Sequence, residues 1–492
     1  MKSGEKKSVS TSGFRKSLNL FDSTAITMGS MIGSGIFIVS ADIARNLGSP
    51  GWLLVVWIIT GIMTVFAALS YGELASMFPH AGGVYVYLRE AYSPLFGFLY
   101  GWTFFTVIQC GTIAAVAVAF ARYSGVLLPF ISEDNILFRL GDVKVSMTQV
   151  VAVISIIFLT WINTRGIKEG KRVQNVFTYS KVVLLLVFII AGIYVANTIE
   201  FSVFKSPDFW DASKIDGGKV VDITGFALIS AIAVAMVGSV FSADAWYNTT
   251  YNSDEAINPK KTIPRSLFLG TLVVSVLYLL VNIVYVMALP LKGVPEGVTV
   301  AERGIQFASE DRVATAVIYG IIGKKAEILV ALLVVISTFG CNNGLILSGS
   351  RVFYAMAKDK LFFRKTGNLS NRGVPAFSLV IQAIWSVLLV FSGSYSQLLD
   401  FVTFAALLFY VLTIAAVFVL RKRRPDLERP YKARGYPLLP IIYIIACLVI
   451  IVSLLIYKPQ FTWPGLIIVI SGFPVFYLWK KSGKKETAVV NG

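Results

Sequence analysis

One histidine and three cysteines in 492 residues leave this chain poorly equipped for metal or nucleophile chemistry. Cys110, Cys341 and Cys447 all stand inside apolar runs, without metal-ligand spacing and without the pattern of a disulfide framework. His80 falls between apolar runs, so no buried Ser-His pair is available, and no Walker sequence is present. Neither an enzyme nor a bound metal or cofactor is expected. Charge is scarce as well: 14% of residues are charged, 27 acidic against 44 basic. In a soluble chain the net charge of +17 would suggest nucleic acid. Here it has a different origin.

The abundant class is apolar. Hydrophobic residues make up 56% of the chain and the mean hydropathy is +0.73, which places it among polytopic membrane proteins in contact with a lipid bilayer rather than nucleic acid. Windows of about 20 residues predict twelve spans, near 20–47, 51–78, 95–128, 148–164, 173–196, 222–250, 264–290, 326–356, 376–395, 399–420, 438–457 and 462–480. An even number puts both termini on one side. The loops of that side hold 29 Lys and Arg against 12 opposite, so the positive-inside rule makes both termini cytoplasmic. The segments so defined are a tail 1–19, a five-helix unit 20–196, an external loop 197–221, a second unit 222–420, a basic loop 421–437, two further helices 438–480 and a tail 481–492. The polar, basic start runs directly into a long span, so no cleaved signal peptide is expected.

Two spans are irregular. Ile26 to Val39 reads ITMGSMIGSGIFIV, and glycine costs about 1 kcal/mol against alanine inside a helix, so Gly29, Gly33 and Gly35 invite unwinding. Unwound backbone is tolerated in hydrocarbon only where protein buries it or it lines a wet cavity; Gly and Ser also permit close helix packing. In the sixth span Phe241-Ser242-Ala243-Asp244-Ala245-Trp246 puts a carboxylate deep in an apolar run, where it must face a cavity or a partner. Broken helices in corresponding positions of two halves point to a transporter site at the bilayer midplane.

These residues carry a family resemblance. Ile32 to Phe37 (IGSGIF), Tyr71 to Pro94, Phe241 to Trp246, Phe339 to Asp359 and the RPYKARGYPLLP run from Arg429 resemble the amino acid, polyamine and organocation superfamily, and within it the prokaryotic L-type transporters. The resemblance implies an all-α polytopic membrane protein of twelve transmembrane helices, a LeuT-like five-plus-five inverted repeat with helices 1 and 6 unwound, in the cytoplasmic membrane of a prokaryote. The expected activity is secondary active, sodium-independent exchange of neutral L-amino acids, on the reading of the cradle and of Lys181 that follows.

An amino acid presents a carboxylate and an ammonium, and a broken helix answers both. Amides at the half-helix beginning near Gly35, with Gly33 and Ser34, suit the carboxylate; carbonyls at Met31 and Ile32, and around Phe241, Ser242 and Ala243, suit the ammonium. The resemblance makes Phe241 a gate over the substrate and places Lys181 where sodium-coupled relatives bind a cation. Lys181 lies roughly 14 Å along its helix from Arg172, deep for snorkelling. Gln109, Cys341, Asn342 and Asn343 line the expected cavity or make core hydrogen bonds. Asp244 binds a cationic group or is paired within the protein, Glu73 pairs with a basic residue of the same side, and His80 has no assigned role. Proton symport, cationic or polyamine substrates, and a sensor or channel on the same fold remain alternatives. Animal L-type chains join a heavy chain through a cysteine between helices 3 and 4; residues 129–147 contain none, so no such partner is expected.

Overall fold

The computed structural model describes residues 13–140, 143–196, 201–216, 219–392 and 395–490; Lys2, Lys6 and Lys7 of the amino-terminal tail, residues 197–200 and 217–218 of the loop 197–221, and the last two residues of the carboxy-terminal tail lie outside them. In order, the helices are α1 (Leu20–Met31), α2 (Val39–Leu47), α3 (Pro50–Met77), α4 (Val84–Ala91), α5 (Pro94–Thr103), α6 (Gln109–Leu127), α7 (Met147–Thr164), α8 (Ile167–Ala196), α9 (Gly225–Ser242), α10 (Asn248–Tyr251), α11 (Pro259–Ala288), α12 (Val300–Arg303), α13 (Val313–Ile322), α14 (Lys325–Lys358), α15 (Ala376–Val390), α16 (Tyr395–Arg423), α17 (Leu438–Tyr457) and α18 (Pro459–Val490). Among the described residues ten helical stretches are long and apolar enough to cross a bilayer. The chain is an integral membrane protein.

The first expected span is split. Asn19 caps α1 and Asp22 returns the capping box, the helix stops at Met31, a 3₁₀ turn covers Gly35–Phe37, and α2 resumes at Val39. The sixth is split too: α9 ends at Ser242 and α10 starts at Asn248. Between them Ala245 has φ +62°, a left-handed conformation in which glycine pays no steric penalty and alanine does. The third expected span is one continuous run whose helix widens into a π-turn at Phe104–Ile108.

The chain is mostly helical, as expected for an all-α membrane protein, with two short additions. Two antiparallel hairpins, β1 (Ile136–Leu140) with β2 (Val143–Ser146) and β3 (Ser213–Asp216) with β4 (Lys219–Asp222), stand between helices on the face away from the amino-terminal segment. Each pair is separated in sequence by two turn-forming residues, Gly141-Asp142 and Gly217-Gly218, a hairpin signal that hydropathy averaging passes over. Residues 481–490, expected as a tail, are helical and continue α18 beyond its apolar part.

The unwound segments sit at the centre. α11 packs along α1 and α3, and α14 packs along α1, α6 and α8. On one face residues 14–18 lie across the ends of other elements: Phe14 is buried against Ala81 and Tyr354, the Ser17 and Leu18 amides donate to the Glu255 carbonyl, and Leu18 accepts from Ile257. Beneath this strap the Arg351 guanidinium meets the Glu255 carboxylate at 2.8 and 3.1 Å, both side chains at most 2% exposed. The basic loop 421–437 is fastened to the body of the protein. Arg421 donates to both oxygens of Glu73 at 2.9 and 2.6 Å, the Ala433 amide adds a third bond at 2.7 Å, and Arg429 lies 3.6 Å away, which clamps the loop to α3.

His80 sits in the turn after α3, with Nδ1 3.7 Å from the Asp254 carboxylate. That carboxylate raises the imidazole pKa above its usual value, against an opposing desolvation. The sign follows: stabilisation from the pair is fully present below about pH 6.5 and is lost as pH rises through the elevated pKa. As the chain's one histidine, His80 gives a single imidazole NMR signal, expected to titrate above 6.5 and to return to the ordinary range in Asp254→Asn.

Candidate functional site

The two breaks face each other around a small chamber of about 30 Å³, lined by Ser30, Met31, Gly33, Ser34, Gly35, Thr112, Val116, Phe241, Ser242, Asp244, Ala245 and Cys341. That is room for no more than a few waters. Above it, on the hairpin side, opens a vestibule of about 910 Å³ whose wall includes Asp42, Arg45, Arg122, Glu310, Asp311 and Arg312. Ser34 and Phe241 line both spaces and so form the partition between them. The loop 291–325 contributes Glu310, Asp311 and Arg312 to the vestibule wall, and Arg45 anchors it through Asp311 at 2.6 Å. Below the chamber lies a layer of buried rings: Tyr71 on Trp246 with centroids 4.6 Å apart, Tyr247 on Tyr410 at 5.5 Å, and Tyr251 on Tyr247 at 5.8 Å.

Lys181 is fully buried, and its ammonium donates to three carbonyls: Gly29 at 2.6 Å, Ile32 at 2.6 Å and Ser337 at 3.3 Å. An ammonium has three hydrogens, and all three are used. α8 is thus tied to the end of α1 and to α14 in one place. Gln174 and Thr178 donate to the Ala25 carbonyl, and Lys171 and Asn175 to Asp22, so one face of α8 grips α1 along its length.

Several expected roles change. Ile32 does not line the chamber, and its carbonyl is already filled by Lys181 and by the Ser337 hydroxyl at 3.1 Å. The Ala243 amide closes the last turn of α9 and the residue stays outside the chamber. Gln109 turns away and donates to the Leu345 carbonyl at 2.6 Å, a core bond between α6 and α14. Its place is taken by Thr112 and Val116, because the π-turn inserts an extra residue just before Gln109 and rotates the face that follows. Asn342 is buried outside the chamber lining, whereas Asn343 bonds the Gly170 carbonyl and Gln174. Met31, Gly33, Ser34, Gly35, Phe241, Ser242, Asp244 and Cys341 are brought together. Asp244 accepts a short bond from the Tyr410 hydroxyl, and Cys341 donates to the Ser30 carbonyl at 3.0 Å. Position in the sequence did not single out Tyr278, whose hydroxyl lies 3.0 Å from the Met31 carbonyl and 3.2 Å from that of Ser242.

Close approach makes Gly35 specific. A Cβ there would stand 2.2 Å from the Ser242 hydroxyl and 3.2 Å from its Cα, whereas one at Gly33 would meet only the Cys341 sulfur at 3.4 Å. Gly35→Ala is expected to push the breaks apart and to lose transport, and Gly33→Ala to keep the fold with an unchanged melting curve; counterflow and thermal melts on both variants check this.

Residues 18–476 match the amino acid permease family. The chain is similar to human large neutral amino acids transporter small subunit 2, 31% identical over 94% of this chain and 80% of that protein. It is similar as well to mouse b(0,+)-type amino acid transporter 1, 28% identical over 97% and 90% of the two chains. With the human cystine/glutamate transporter the identity is 26% over 94% and 85%. The chain therefore belongs to the amino acid permease family, within the amino acid, polyamine and organocation superfamily, and is an amino acid transporter rather than an enzyme.

Proposed function

We propose that the protein is a secondary active exchanger of neutral L-amino acids that works without sodium by alternating access. The observation that carries this is the pair of facing breaks around a chamber, with the Lys181 ammonium bound by three carbonyls as a cation would be. A lysine whose three hydrogens are all engaged favours a permanently charged group, hence exchange over proton symport. The amide end at Gly35 and the carbonyls of Met31 and Ser242 suit the ends of a zwitterion. Phe241, forming the partition, is the gate, and its movement toward the vestibule enlarges the chamber for substrate. In this reading the first, split span and the shorter α15 join the ten long spans to make twelve, arranged as a LeuT-like inverted repeat of 20–196 and 222–420. Both termini are cytoplasmic, in a prokaryotic membrane, on the weight of the basic loops.

A second reading, transport of cationic amino acids, rests on Asp244, a chamber carboxylate whose hydrogen-bonding side-chain partner is the neutral Tyr410. One experiment separates the two. Purified protein in liposomes loaded with single amino acids should show uptake of labelled alanine, serine or leucine stimulated by neutral amino acids inside. Stimulation by arginine or polyamines alone would overturn the neutral assignment. Activity in these vesicles without any added protein also fits the proposal that no heavy chain is needed, and activity restored only by a single-span partner would refute it.

A further inference from the structure

We propose that the recess at the corner between α7 and α8 binds the headgroup phosphate of an anionic phospholipid, in the leaflet on the side of the amino-terminal strap. The recess has a volume of about 550 Å³ and is lined by Trp161, Ile162, Arg165, Glu169 and Arg372. Two guanidiniums face one carboxylate, and among the described residues neither Arg165 nor Arg372 has an ion-pair partner. The Arg165 guanidinium rests on the Trp161 ring, 4.5 Å from its centroid, which fixes the fork without neutralising it. Forked donors of this kind take two phosphate oxygens at once.

The source of the phosphate is indicated by what leads into the recess. Ile154, Ile157, Phe158 and Trp161 are each about half exposed and follow one another at helical spacing on α7, so a single apolar stripe descends the helix and ends at Arg165. Acyl chains lying on that stripe deliver their phosphate to the two arginines, with the Trp161 ring at headgroup level where amphipathic aromatics settle. Glu169, which also lines the recess, disfavours a second anionic group and admits a headgroup with a neutral hydroxylated terminus. The recess joins the start of α8, which holds α1, to the segment carrying Arg372, where Arg15 of the strap donates to the Asn371 carbonyl at 3.3 Å. A lipid there connects the grip on the unwound helix to the strap.

The test uses the full chain in phosphatidylcholine nanodiscs doped with photoactivatable phosphatidylglycerol, with labelled peptides read by mass spectrometry. Label is expected on the peptides around 154–172 and 372, competed by unlabelled phosphatidylglycerol and not by phosphatidylcholine or glycerol phosphate. Arg165→Gln with Arg372→Gln should lower labelling there about twenty-five-fold, roughly fivefold for each arginine near an anionic surface, and leave label elsewhere unchanged. Equal competition by phosphatidylcholine, displacement by free glycerol phosphate, or label confined to other helices would each overturn the proposal. The competition arms need only the wild-type chain, so they decide even where the double variant does not fold.

Discussion

Lys181→Ala is expected to abolish exchange while the protein still reaches the membrane folded. The substitution removes one buried charge and three charge-assisted hydrogen bonds, each of a kind worth about 1.5–3 kcal/mol, from the point where α8, the unwound end of α1 and α14 meet. Gly29, Ile32 and Ser337 would be left with carbonyls facing an empty space, although Ile32 retains the Ser337 hydroxyl. The local geometry of the break is lost first, because the rest of α1 keeps its bonds to Lys171, Gln174, Asn175 and Thr178. Lys181→Arg should not rescue, since a planar fork cannot address three carbonyls arranged around a point charge. Wild-type uptake should be indifferent to replacing sodium by choline. Sodium dependence in the wild type, or near-normal counterflow in Lys181→Ala, would show that the ammonium does not stand in for an ion.

The largest loss of stability is expected from Glu255→Gln. Arg351 would then keep a buried charge without a countercharge, facing a neutral amide with one accepting oxygen beside the Leu347 carbonyl and the Ser350 hydroxyl, and losing one partner's charge from a buried ion pair costs about 3–5 kcal/mol. Removing both charges at once, Glu255→Leu with Arg351→Met, should recover most of the loss, because two desolvation penalties disappear with the attraction. Thermal melts of the purified variants measure this. A melting curve for Glu255→Gln matching that of the wild type would mean that the pair is not sealed from water.

Much of the frame was legible because membrane spans obey a coarse rule. Length and apolarity put α17 at residues 438–457, the range its helix occupies, and the glycines of IGSGIF marked the first break. The hairpins escaped because a wide hydropathy window averages strands of four or five residues with their polar turns. Within the site, backbone was easier to place than side chains. Glycine and serine announce an unwound segment, but nothing local announces the π-turn that sends Gln109 into the core and Thr112 to the chamber. Tyr278, Ser337 and Tyr410 reach the breaks from distant helices, and such contacts depend on packing angles that periodicity does not contain. Ala245 is a different case: the left-handed residue of the sixth break carries a methyl group in a conformation that favours glycine, a local cost of about 1–2 kcal/mol accepted to turn the chain there.

The Tyr278 hydroxyl owns a single hydrogen, yet it stands within bonding distance of two carbonyls, those of Met31 and Ser242. One hydrogen serves one acceptor well or two weakly, so the phenol alone does not fully satisfy both carbonyls. In the proposed binding mode a substrate ammonium, with three hydrogens, would donate to both carbonyls at once and release the phenol. The expected signature of an occupied chamber on α11 is then a reoriented Tyr278 O–H bond.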